Sequence, residues 1–309
     1  MEKHSIFKKR SAMVLMALFC CFLWGSAFPS MKLSYAELGM ENEFQEILFA
    51  GIRFFLAGLI VLVFGKAKLK IKITPKRTEI PLMLLIAFLQ TVGAYVPYYI
   101  GLGNTTGVKG SVIASMSVFI VAIFAHFMFK SDRLNWKKGV GLICGFAGVV
   151  MVNLTLIAKT SFTFTITGEG FIVLHALFCA LTIVIIRKYA DTIDIVKLNG
   201  WQLFIGGLML IAVGFAGSPQ MLSFNFISGA LLVYMAALSA TAFTLWFILL
   251  KYYNATTVEQ FKFAIPLFGT LLSVILVPGE SMGPEMLIAA ILVAAGIIII
   301  NRQDKANTI

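Results

Sequence analysis

FKFAIPLFGTLLSVILVP, residues 261–278, is apolar apart from one lysine, two small hydroxyl residues and prolines, and no further charge follows until Glu280. About 20 such residues are what a helix needs to cross about 30 Å of hydrocarbon. Inside a bilayer, Lys262 carries a costly charge. Pro266 removes a backbone donor that lipid cannot replace. Both are tolerable only if the segment faces protein or a polar cavity. The stretch therefore reads as a membrane span with one face turned inward.

The rest of the chain agrees with that reading. Its 309 residues are 60% hydrophobic and 13% charged, with mean hydropathy +0.94. Ten apolar runs are predicted to span, at roughly 11–31, 44–65, 79–101, 108–129, 136–156, 169–188, 195–216, 227–250, 257–278 and 284–301. Their connections leave little room for a soluble domain. The basic N-terminus MEKHSIFKKR followed by an apolar run resembles a signal peptide. That run is too long for a typical signal core, and many spans follow it.

The net charge of +11 is read as an orientation signal rather than a nucleic-acid footprint, because the basic residues lie between spans. With the N-terminus in the cytoplasm, inside segments hold twenty Lys and Arg, whereas outside segments hold only Lys32, Lys109 and Lys159. Both termini are thus expected in the cytoplasm, and the chain is expected in the cell membrane. Cys20, Cys21, Cys144 and Cys179 all fall in apolar runs without metal-ligand spacing, so neither a disulfide nor a metal site is expected.

The sequence also repeats. AGIRFFLAGLIVLV (50–63) lies over NGWQLFIGGLMLIA (199–212) at an offset of 149. SDRLNWKKGVGLICGFAGVVMVN (131–153) lies over GESMGPEMLIAAILVAAGIIIIN (279–301) at an offset of 148, pairing Asp132 with Glu280, Gly148 with Gly296 and Asn153 with Asn301. AYVPYYIGL from Ala94 and AFTLWFILL from Ala242 keep the same offset. The repeated unit has five spans, and an odd number puts the second copy in upside down. The expected fold is therefore all-α and integral to the membrane, with ten helices in a 5+5 inverted repeat covering 12–156 and 168–302. Such repeats belong above all to transporters, with a site near the midplane.

CFLWGSAFPSMK, RFFLAG, SDRLNWKKGVGLICGFAGVVMV and IPLFGTLLSVILVPGE, in that order and spacing, resemble paired EamA-type domains of the drug/metabolite transporter superfamily. The resemblance implies a ten-helix permease. Its pathway would be formed by helices 1, 3, 4, 6, 8 and 9, with 5 and 10 peripheral. It also implies transport of amino acids, nucleotide-related compounds, sugar phosphates or drugs, often outward. One position departs from the pattern. Pro266 lies fourteen residues before Glu280, but the place fourteen before Asp132 holds Val118, so the first half carries no proline signal for a matching break.

Candidate pathway residues follow from polarity inside spans. Lys262 either reaches back to the interface or presents a cation to the pathway, and Glu259 at i−3 is placed to pair with it. Pro266 frees the carbonyl of Lys262, four residues earlier. Tyr95 and Tyr98 share a helix face, and Trp246 is the repeat mate of Tyr98. An interface belt is the ordinary use of such aromatics. A cavity wall is the functional one, with Gln90, Ser239, Thr241 and Thr244 adding hydrogen bonds. Trp24 and Ser26, near Pro29, match the family's WGS pattern. Arg53, whose repeat mate is Gln202, is expected as an interior structural pin, because helix 2 is not a main pathway helix in the family. His126 and His175 are read as hydrogen-bonded buried histidines. Gly141, Gly145 and Gly148 give a helix-contact stripe, usable for internal packing or a homodimer.

No Asp or Glu lies near the middle of a predicted span, which argues against charge-based binding of lipophilic cations. No HExxH, Walker loop, CxxC pair or GxSxG motif is present. The expected function is a secondary transporter exporting amino acids or related metabolites across the cytoplasmic membrane by alternating access. It would need no cofactor, with a small-molecule substrate and the lipid bilayer as partners and no nucleic acid. A membrane-embedded enzyme or a passive channel is the alternative. The first would need clustered catalytic groups and the second repeated rings of charge.

Overall fold

The computed structural model describes residues 7–157, 164–277 and 282–304. Lys159 and Glu280, used in the charge count and the repeat pairing, lie outside the described residues, as do Lys3, His4, Pro278 and Lys305. Among the described residues there is no strand, and nine helices are long and apolar enough to cross a membrane. These are α1 (Arg10–Leu38), α2 (Glu43–Ala67), α3 (Ile80–Gly103), α4 (Gly107–Met128), α6 (Ile166–Tyr189), α7 (Ile195–Gly217), α8 (Phe226–Tyr252), α9 (Ala255–Leu276) and α10 (Glu285–Asp304). A tenth apolar helix, α5 (Trp136–Val152), has 17 residues.

Half of the ten helices begin on the side-chain caps named next, which satisfy orphan N–H groups. Asn42, Thr106, Asn135, Asp194 and Asn225 cap α2, α4, α5, α7 and α8. α1 runs seven residues past the predicted edge at 31 and stops at Gly39, whose φ of 58° is the left-handed turn that ends helices. Ser30 and Ser34 bond back to the carbonyls of Ser26 and Ser30 at 2.9 and 2.8 Å. Lys32, expected in an outside loop, therefore lies on the last turns of α1. Hydropathy marks where lipid ends, and a helix need not end there.

Glycines set the helix seams. α2 lies along α7, where a Cβ on Gly51 would meet Ile211 N at 2.6 Å. α5 lies along α10, where a Cβ on Gly141 or Gly148 would meet the carbonyls of Gly296 and Ala289 at 3.0 and 2.9 Å. Gly145 faces the ring of Phe263. The stripe read as a helix-contact face is thus filled by packing within the chain. α1 packs on α8 and α9, while α6 packs on α3 and α4. Buried residues from all ten helices form one continuous apolar core.

Hydrogen bonds close the end that carries Arg10. Arg10 reaches Asn301, Tyr253 reaches the carbonyl of Phe7, and Arg187 reaches that of Lys251. At the same end Lys197 pairs with Glu79 at 2.7 Å, joining the start of α7 to the start of α3.

Candidate functional site

The stretch 261–278 does not form one regular helix. Ala255–Glu259 is α-helical, Gln260–Ala264 tightens to 3-10 geometry, and Ile265–Leu276 resumes the α-helix. Pro266 has no N–H for the carbonyl of Lys262, and the N–H of Ile265 takes that carbonyl instead. The carbonyl expected to stand free is therefore satisfied by the tighter turn, which is what missing one donor does to a helix.

Lys262 is not alone. Its Nζ lies 2.7 Å from Glu259 Oε2, and 5.9 and 5.5 Å from the ring centres of Trp24 and Trp246. Glu259 is fully buried and accepts from Trp246 Nε1 at 2.6 Å through its other oxygen. The lysine lines a central cavity, with the carboxylate and an indole N–H behind it. Counting acids by their place along a span undervalued Glu259. It is only the fifth residue of α9, yet packing encloses it completely.

The cavity measures about 230 Å³. α3 contributes Gln90, Tyr95, Tyr98 and Tyr99. A π-helical turn at Phe88–Gly93 lies just ahead of the tyrosines, a distortion common at functional sites. Tyr98 packs on His175 with ring centres 4.6 Å apart. His175 Nδ1 donates to the carbonyl of Ala94 at 2.8 Å, while His126 Nδ1 accepts from Leu134 N at 2.9 Å. Both histidines are thus hydrogen-bonded as expected, and His175 also lines the cavity.

Of the residues singled out from sequence, Trp24, Gln90, Tyr95, Tyr98, Lys262 and Pro266 meet at this cavity. Ser26, Thr244 and Trp246 are not part of its lining. Ser26 Oγ bonds the carbonyl of Leu23 at 2.7 Å and Tyr234 Oη at 2.6 Å, which ties α1 to α8. Thr244 Oγ1 accepts from Asn199, which in turn accepts from Gln202, and Gln202 accepts from Thr91. That polar chain sews α8, α7 and α3 together. Trp246 sits one layer back, 4.9 Å from Trp24. Thr241 is exposed and bonds the carbonyl of Ala237, while Ser239 does line the cavity.

Arg53 differs most from expectation, because it lines the cavity. Its guanidinium lies 4.3 Å from the ring centre of Phe54, and its Nε is buried without a hydrogen-bond partner. The signal was present in the sequence as an arginine in mid-span, which must meet partners or a cavity. Assigning helix 2 to the periphery obscured it. α4 also reaches the site through Ser111 and Ser115, which no sequence feature marked, and through Val118, noted only as the place without a matching proline.

These features define a multi-pass α-helical membrane protein with a small, aromatic-walled cavity among its helices. Comparison with known proteins places it further. The sequence model described as the EamA-like transporter family matches residues 11–154 and 166–302. The chain belongs to that family and is a membrane transporter. Uncharacterized transporter YvbV of Bacillus subtilis is 26% identical over 303 residues, covering 97% of this chain and 94% of that one. A chloroplastic WAT1-related protein of Arabidopsis thaliana is 26% identical over 292 residues, covering 91% of this chain and 67% of that one. A crystal structure aligns with TM-score 0.78 over 96% of this chain and 99% of its own at 17% identity, a likeness of fold alone.

Proposed function

We propose that this transporter is a secondary permease. It moves small organic metabolites, amino acids or related compounds, outward across the cytoplasmic membrane by alternating access, with both termini cytoplasmic. The observation that carries this reading is the central cavity. It has a tyrosine wall, polar contacts at Gln90 and Ser239, and two cations, Arg53 and Lys262. A solute with an apolar or aromatic body and an anionic end fits those surfaces. At about 230 Å³ the cavity lies below the roughly 300–1,000 Å³ of drug-sized sites, which favours a small metabolite.

Two oppositely oriented five-helix repeats, 12–156 and 168–302, supply the alternation. The constant sequence offset supports them. So does the exchange of partners, since α2 packs on its mate α7 and α5 on its mate α10. The contacts of α1 with α8 and α9 answer those of α6 with α3 and α4. A rocking motion about such a pseudo-twofold axis would expose the cavity to each side in turn.

Counterflow in proteoliposomes tests the function, using a radiolabelled panel of amino acids and organic acids. Exchange without nucleotide is expected for at least one solute, and product formation without exchange would sink the reading. Topology is tested with an impermeant thiol reagent in a background lacking native cysteines. A cysteine at Asn104 should label from outside, and one at Lys70 should not.

A further inference from the structure

We infer that Arg53 is the substrate's anion anchor, and that the ligand is a small monocarboxylate with an apolar or aromatic tail whose recognition does not require an ammonium group. This rests on the cavity being the substrate site. It adds which cation does the binding and which charge the solute must carry.

Two cationic side chains line the cavity and no Asp or Glu does. They are not equivalent. Lys262 is already neutralised by Glu259 at 2.7 Å, with the carboxylate fully buried behind it. Arg53 has no such partner. It is 4% exposed, its Nε has no hydrogen-bond partner, and no ion pair to it is present among the described residues. The acid on the same face of α2 is Glu46, two turns away and so about 10 Å along the axis. A guanidinium enclosed in a membrane protein without an anion is costly, and a carboxylate is the group its planar fork matches.

The local surfaces suit such a ligand. Arg53 lies over the Phe54 ring, which packs on Tyr95 and Phe243 with ring centres 4.7 and 6.0 Å apart. An apolar tail can therefore lie against aromatic rings while its carboxylate meets the fork. The net charge of Arg53, Lys262 and Glu259 is one positive. One carboxylate cancels it, whereas a phosphate monoester, carrying about −1.5 to −2 near neutral pH, overshoots. An ammonium group on the solute would find only neutral partners such as His175, hydroxyls, amides and ring faces, because no carboxylate lines the cavity.

The test uses the purified full chain in detergent, read by thermal unfolding, and in proteoliposomes, read by inhibition of exchange. The probes are 3-phenylpropionate, phenylalanine, 3-phenylpropanamide, phenethylamine and phenyl phosphate. The two carboxylates should stabilise the protein, whereas the amide and the amine should not. In Arg53→Gln the affinity for 3-phenylpropionate should fall roughly ten- to a hundredfold, with unfolding of the ligand-free protein little changed. Arg53→Lys should keep part of the affinity, and it carries the test if Arg53→Gln does not fold. Equal binding of acid and amide, preference for the amine or the phosphate, or no binding of either carboxylate would overturn the inference. So would loss of acid selectivity in Lys262→Gln with selectivity kept in Arg53→Gln. Binding is read without transport, so a protein that binds the acid but exchanges nothing would refute only the transporter reading. Exchange that ignores the carboxylate would refute only the anchor.

Discussion

α4 and α9 are both interrupted where they meet the cavity, and the two interruptions have different chemistry. In α9, Pro266 withholds a donor and the preceding turn tightens around the carbonyl of Lys262. In α4, nothing is withheld. Ser115 Oγ bonds the carbonyl of Val112 at 2.6 Å, and Met116 N and Val118 N turn to the carbonyls of Ile113 and Ser115 at 3.0 and 3.2 Å. The helix divides into Gly107–Ala114 and Ser117–Met128. A break in a membrane helix thus needs no proline. At this one a side chain competes locally for a carbonyl, and protein or a cavity satisfies the rest.

The entrances of the two helices differ in the same graded way. Each is held by a carboxylate lying outside its own half of the sequence. Asp132 accepts from Thr256 N at 2.9 Å, at the start of α9, and from Lys138 Nζ at 2.8 Å, both ends of that ion pair being fully buried. Glu169, at the start of α6, accepts from Thr105 at 2.7 Å and from Lys109 at 2.9 Å, at the start of α4, with the lysine 18% exposed. Removing one member of a buried pair costs about 3–5 kcal/mol, so Asp132→Ala should lower the thermal midpoint of the solubilised protein most. Glu169→Ala loses hydrogen bonds to a charged group in a wetter place, and about 1–3 kcal/mol is expected. Equal losses would break the comparison, because they would mean that burial does not distinguish the two anchors.

That contrast also shows what sequence could and could not convey. The apolar runs, the Lys/Arg asymmetry and Pro266 announce helices, expected orientation and one break, since each acts through composition along the chain. Tyr95 and Tyr98 reached the cavity because helix periodicity predicts a shared face. Thr244 and Trp246 have the right composition but were consumed by Asn199 and Glu259, partners distant in sequence or buried by packing. Arg53 went the other way. Its mid-span place announces that it must meet partners or a cavity, but which rings and acids surround it is set in three dimensions, and no local pattern encodes that choice.

Pro266→Ala sharpens the comparison from the proline side. The change restores an N–H within reach of the carbonyl of Lys262 and lets α9 wind as a regular helix. Proline is tolerated near the start of the segment Ile265–Leu276, so stability should rise by only about 1 kcal/mol. Rewinding would turn Lys262 relative to Glu259 and Trp24. Exchange should slow several-fold at matched expression, and an unchanged rate would show that the break serves packing alone.

Ser115→Ala is the corresponding change in α4, and the smallest effect is expected there. The hydroxyl that competes for the carbonyl of Val112 is removed. Ser115 lines the cavity, so that carbonyl can accept from water and its loss of a partner costs little. Alanine is the better helix former by about 0.5 kcal/mol, and the two parts of α4 gain a reason to join. A slightly higher thermal midpoint with slower exchange is the expected pair of outcomes, in the same direction as Pro266→Ala. Lower stability with unchanged exchange would mean that the serine only satisfies a carbonyl, and that α4 is bent by its neighbours rather than by its own sequence. Pro266 would then be the one break of the two that its own helix encodes.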